Sequence, residues 1–145
     1  MDLTLFKEVK ATTNKLALGT SLAGQADVKI VNFVWDESQP DTLYFSSVKT
    51  SEAVTIYDQD PDVAIITVPD NGTPGNPYLR ARHVQLHRST KTMVDLLPLY
   101  LQSVPHYQQV WDKIGSTLVV YALQLGDVKV DPGIGRSKQI LQFES

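Results

Sequence analysis

The sequence predicts a mainly β domain with peripheral helices, an antiparallel barrel of six to seven strands. Three observations carry this reading. The first three apolar segments after the N-terminal stretch follow one another as strands, as antiparallel neighbours do and as a parallel βαβ sheet does not. Helical spacing is confined to the N-terminus, to one short stretch after the third strand and to 89–115. The 145 residues suit a single domain, 1–145, which is enough chain to close a small barrel.

The elements follow in order. "DLTLFKEVKATTN" spaces Leu3, Phe6 and Val9 on one helical face and offers Asp2 as a cap. "KLALGTSL" and "VKIVNFVWDE" alternate as strands and form a hairpin across "AGQAD", where Gly24 and Asp27 suit the turn. "TLYFSS" is the third strand. In "SEAVTIYDQD" Ala53, Ile56 and Tyr57 share a helical face that Ser51 caps, and Pro61 closes the helix. "VAIITV" is a continuous apolar run, expected to be a strand buried on both sides. After the loop "PDNGTPGNP", "YLRARHVQLH" alternates as a strand, with Leu79, Ala81 and His83 on one face and Arg80, Arg82 and Val84 on the other. The stretch 89–115 has helical spacing interrupted by Pro98 and Pro105, which predicts two short helices. "STLVVYALQLGDVKV" reads as one long strand and "QILQF" as a last one.

Composition narrows the function. A formal net charge of −3 and a pI near 5.5 argue against a nucleic-acid binder, which needs clustered cations. Without cysteine there is no disulfide, thiolate catalysis or Cys-based metal site. No run of about 18 apolar residues is present and the N-terminus lacks the order of a signal peptide, so a cytoplasmic protein without a membrane partner is expected. His83 and His87 lie about 13 Å apart along one strand face, too far for one metal ion. "DPGIGRSK" carries only a GxG and reads as a turn.

The segments Val34-Trp35-Asp36, Leu43-Tyr44-Phe45-Ser46-Ser47, Ser51 and Asp60-Pro61-Asp62-Val63-Ala64 stand in an order that resembles the FMN-binding split-barrel proteins of the pyridoxamine phosphate oxidase type, especially their short bacterial general-stress members. The resemblance extends in order over most of the chain. It implies a homodimer of split barrels with one FMN in each of two clefts between the subunits. It also implies that the phosphate sits beside the third strand and the helix after it, held by hydroxyls and by Arg or Lys. Ser46, Ser47, Thr50 and Ser51 supply the hydroxyls. Lys49 and Arg82 (or Arg80) are the candidate cations, either Asn32 or, on the opposite strand face, Phe33 and Trp35 could line the flavin ring, and Trp111 could reach the partner's cleft. Arg136 and Lys138 are secondary anchors.

The chain departs from the pattern in its charges. Glu52 and Ala53 stand where relatives carry cations. A plausible register puts Val28 at the position of the relatives' second-strand Arg, with the neighbouring Lys29 turned to the opposite face. The leading expectation is an FMN-dependent oxidoreductase in which the flavin carries the redox chemistry, so no catalytic side chain or metal is assigned. The alternative is a non-enzymatic split-barrel module that has lost FMN or takes another small ligand. A haem on the same fold would need a histidine facing the cleft.

Overall fold

The computed structural model describes residues 1–69, 72 and 75–143. The chain enters through α1 (Thr4–Lys10), where the Thr4 N–H donates to the Asp2 carboxylate, and then forms the hairpin β1 (Lys15–Leu22) and β2 (Gln25–Asn32). The turn between them is Ala23–Gly24, with φ of 52° and 77°, the left-handed pair that a two-residue hairpin turn requires. Asp27, expected in the turn, is therefore a strand residue. Through Phe33 the chain passes into β3 (Val34–Trp35), followed by β4 (Thr42–Val48), α2 (Glu52–Gln59), β5 (Asp62–Thr67) and β6 (Tyr78–Arg88). Two helices, α3 (Met93–Ser103) and α4 (Tyr107–Ile114), precede β7 (Leu118–Gln124), β8 (Asp127–Asp131) and β9 (Gln139–Gln142).

All these strands join one antiparallel sheet in the order β2-β1-β5-β6-β7-β4-β3, with β8 paired to β6 and β9 to β8. The hydrogen-bonded path is open, yet its two ends, β2 and β3, are consecutive in the chain and joined by Phe33. Six strand positions thus enclose the core and β8–β9 extend the sheet. The split is visible on β6, whose Tyr78–Ala81 half pairs with β8 while Gln85–Arg88 pairs with β7. Inside sit Leu16, Leu18, Phe33, Phe45, Leu79, Val84, Tyr121 and Leu123; outside the β3-β4-β7 wall, α3 and α4 bury Met93, Leu96, Tyr100 and Tyr107 against Val34, Tyr44 and Val120. No helix among the described residues is long and apolar enough to cross a membrane.

Three local expectations change. The run Val63–Thr67 is buried on one side only: Val63, Ile65 and Thr67 point inward while Ala64 and Ile66 are exposed. On β6 a bulge sets Arg82 and His83 against the single residue Ala64, because Val63 pairs with Val84 and Ile65 with Ala81. His83 takes φ 53° there, so Val84 turns inward and His83 outward, the reverse of simple alternation. Pro98 lies inside α3, which starts on a Thr92–Asp95 capping box, and the break falls at Pro105. The predicted long C-terminal strand is present with one break: β7 and β8 run on in the same direction along β6, interrupted at Leu125–Gly126. In the expected loop after β5, Asp70, Asn71, Thr73 and Pro74 lie outside the described residues.

One cluster fixes α2 on the barrel. Tyr121 stacks on Phe45 (5.4 Å between centroids, 20°), and Tyr57 of α2 meets both edge-on at 5.2 Å. Above it, Asp58 of α2 accepts from Tyr121 Oη at 2.9 Å and takes both Nε and Nη2 of Arg88, at 2.9 and 3.0 Å. The Arg88 guanidinium, with a smaller contribution from the Tyr121 hydroxyl, holds the Asp58 carboxyl below its ordinary range; burial pushes Tyr121 up to about 12, so it remains a donor. Because the folded value of Asp58 is below the unfolded one, its stabilisation is complete above the ordinary carboxylate value of about 4 and is lost as pH falls through the folded value. Thermal unfolding followed between pH 6 and 2.5 should therefore show a smaller loss of Tm below about pH 4 for Asp58→Asn than for the unmodified protein.

Candidate functional site

Among the described residues three concave regions bear on a site. One, of about 1100 Å³, lies between α1, the start of β1 and the carboxyl end of α3. Several of its polar groups already have partners: Asn14 donates to the Ser103 carbonyl at 2.8 Å, Trp35 Nε1 to the Pro40 carbonyl at 3.1 Å, and Lys7 is paired with Glu37. Burial lowers the pKa of Lys10 in its wall.

The cleft that matches the expected phosphate position is smaller, about 430 Å³, and lies between α2 and the inward face of β1–β2. Its geometry follows from the hairpin register. The Ala23–Gly24 turn sets Lys29 opposite Leu18 and Asp27 opposite Thr20, and since Leu18 and Thr20 are buried, Lys29 and Asp27 share their face. The other wall is the amino end of α2: Ser51 caps it by accepting the Ala53 N–H at 3.2 Å, and Glu52, Ala53, Ile56 and Tyr57 follow. Burial, and then the charge of Asp27, raise the pKa of Tyr57, so a neutral phenol stands behind the cleft. In charge, Lys29 and the partial positive charge of the helix end, about half a unit, face the two carboxylates Asp27 and Glu52.

Of the residues expected from sequence, Ser51 alone lines this cleft. Ser46 is on the opposite face of β4, beside the stacked Tyr100 and Tyr107 rings (4.6 Å); both phenol hydroxyls are buried without a hydrogen bond, and Ser46 lies beside them in a geometry too loose to satisfy either. Ser47 is half-buried opposite Val119. Lys49 and Thr50 are exposed in the turn before α2, where the Lys49 N–H donates to the Thr117 carbonyl at 2.8 Å. Asn32 lines the broad cleft, and Trp111 packs against the helical core and over Gly115, where a Cβ would run into its ring. Arg136 is taken by Glu8, and Lys138 lies 3.7 Å from Asp131.

The residue missed from sequence is Lys29. With the turn placed at Ala23–Gly24, counting back along the hairpin from Leu18 assigns Lys29 to the inner face, so the signal was the turn.

The outward face of the same sheet is apolar on one side and cationic on the other. The registers align Ile30, Ala17, Ile66, Arg80, Lys129 and Ile140 in one transverse row over β2, β1, β5, β6, β8 and β9. Ile30 is 59% and Ile140 67% exposed, and Val28 beside them 67%. Where β6 leaves β8 for β7, a groove of about 490 Å³ contains Arg80, Arg82, His83, Asp127 and Lys129. Among the described residues no group of His, Cys, Asp and Glu could hold a metal ion.

Residues 9–137 match the family model described as pyridoxamine 5′-phosphate oxidase-like. No curated protein sequence matches the chain. Solved structures do. A candidate pyridoxamine 5′-phosphate oxidase from Listeria innocua superposes with a TM-score of 0.66 at 12% identity, covering 89% of this chain and 96% of that one. A heme binding protein from Mycobacterium smegmatis gives 0.70 at 15%, covering 98% and 59%, so this chain spans about three fifths of it. A FAD-binding protein from Mesorhizobium loti gives 0.62 at 13%, covering 88% and 91%. These are likenesses of fold.

Removing the α2 cap, by Ser51→Ala, should cost about 1 kcal/mol of stability in denaturant unfolding, whereas Thr50→Ala in the exposed turn should cost less than about 0.5 kcal/mol.

Proposed function

The chain belongs to the pyridoxamine 5′-phosphate oxidase-like family, and from that premise we propose that it is a homodimeric, FMN-binding split-barrel protein acting in flavin-dependent oxidoreduction. The observation that carries this reading is the meeting of Lys29 with the amino end of α2 in one cleft. A cation beside helix N–H groups suits a phosphate, and Leu18, Ile56 and the Tyr57 ring give the cleft an apolar side. A flavin, when bound, supplies the redox chemistry. The chain's own residues anchor it: Lys29 offsets phosphate charge, Ser51 keeps the helix end intact, and the β1–β2 wall shields one side from water.

The fit to a dianionic phosphate is partial, because Asp27 and Glu52 line the same cleft. Like charge at that distance weakens the anchor without abolishing it, since both side chains are exposed and water screens them. FMN is therefore expected to bind as an exchangeable ligand and not as a permanently held group. A titration followed by quenching of flavin fluorescence, run in parallel with FMN and riboflavin, tests the arrangement. Lys29→Ala should weaken FMN about tenfold, roughly the worth of one charge-assisted contact, and leave riboflavin unchanged. Glu52→Gln should strengthen FMN by about two- to fivefold, again without effect on riboflavin. Equal changes for the two ligands would remove the phosphate from this cleft, and failure of both to bind would leave the family's non-enzymatic alternative. A haem would instead show as a Soret band; among the described residues the histidine lining a cleft is His83, in the outer groove.

The outward sheet face supports the dimer. Val28, Ile30 and Ile66 are exposed around Ala17, Gly19 and Ala64, small residues that let a second surface approach closely. Both faces of β2 are consequently uncovered in one copy, with a cleft on one side and an apolar field on the other. Sedimentation of the protein should give a dimer, and Ile30→Asp should shift it to monomer at the same concentration while leaving the circular dichroism of the fold intact.

A further inference from the structure

We infer that the groove at the split of β6 holds a phosphate-type dianion, at a site separate from the cleft under α2. The starting point is a cross-strand pair of like charges. Arg80 and Lys129 are direct partners in the antiparallel β6–β8 ladder. Since their neighbours Ala81 and Val128 are buried, both point outward, and side chains in that relation start about 5 Å apart. Such a pair is destabilising unless something negative lies between its ends. Arg82 adds a third cation to the same groove.

The charges around the three are few. Among the described residues no carboxylate lies within ion-pair distance of Arg80, Arg82 or Lys129. Asp127 lines the groove and offsets one charge in part; Asp62 is engaged by His83 Nδ1 at 3.2 Å, and Asp131 faces Lys138. Three cations against one carboxylate leave an excess of about two positive charges, the complement of a phosphate monoester dianion. The cleft under α2, with one cation and two carboxylates, has the opposite balance. Two guanidiniums add geometry, because each can present a pair of parallel N–H donors to two phosphate oxygens. Exposed Ile140 beside Lys129 gives the ligand's organic part an apolar contact. The ligand class is thus a small phosphate monoester with an apolar body.

The site is tested with inorganic phosphate at pH 8 and constant ionic strength, chloride replacing phosphate, on the full chain labelled with ¹⁵N. Saturable shifts of the Arg80, Arg82 and Lys129 amides are expected, and Lys129→Gln should weaken phosphate at least fivefold. Without phosphate, Lys129→Gln should raise Tm, because it removes the like-charge pair; a structural lysine would lower Tm instead. Lys29→Gln should leave these shifts in place, which separates this site from the cleft under α2. Shifts that do not saturate, or that persist in full in Lys129→Gln, would overturn the proposal. Saturable shifts confined to Lys29 and the start of α2 would move the anion to the cleft and overturn it equally.

Discussion

The structure depends first on the clamp that holds α2 to the barrel. Tyr57 packs edge-on against the stacked Phe45 and Tyr121, and Asp58, the next residue, closes a bidentate pair with Arg88 while accepting from Tyr121. Two consecutive residues of an eight-residue helix thereby engage β4, β6 and β7. A helix this short has little stability of its own in water, so its position comes from these contacts. Everything that makes the cleft follows: Ser51 and the free helix end are presented to Lys29 because the other end of α2 is fixed.

The second constraint is the inequality of the two sides of β2. An edge strand uncovered on both faces is an aggregation hazard in a monomer. Here the inner face is polar, with Asp27 and Lys29, and the outer face apolar, with Val28 and Ile30, so the two sides suit different occupants. The bulge at Arg82–His83 performs a related task on β6. By setting two residues against Ala64 it keeps Val84 and Leu86 in the core after Leu79 and Ala81, and it leaves His83 on the outside beside Arg82 and Arg80. The cations missing from the start of α2, where Glu52 and Ala53 stand, have their counterpart in excess charge on this outer surface.

Much of the fold was legible in the sequence because strand alternation and turn residues are local signals. The hairpin, the aromatic third strand, the Ser51 cap and the helical region after Ser89 follow from patterns within about ten residues. What was not legible needed partners. Val63–Thr67 reads as buried on both sides because apolar residues facing an uncovered surface look the same as those facing a core. The long C-terminal strand was legible as one run, but not its break at Leu125–Gly126, where the chain leaves its pairing with β4 for pairing with β9. The site was less legible than the fold. Ser46, Ser47, Lys49 and Thr50 cluster in sequence but disperse in space, because alternate residues of β4 face opposite layers and the turn residues point to solvent. Lys29 was recoverable only by placing one turn correctly, since a one-residue change in a hairpin turn moves a side chain to the other face.

Lys29 and the amino end of α2, on the function proposed, form one ligand site. The most direct measurement is a ¹H–¹⁵N correlation spectrum of the labelled protein during an FMN titration. Saturable shifts concentrated at Leu18, Lys29, Ser51, Ala53 and Ile56, on both walls of a single cleft, are expected. Shifts centred on Asn14, Asn32 and Gln102 in the broad cleft, with Lys29 and Ser51 unmoved, would contradict it.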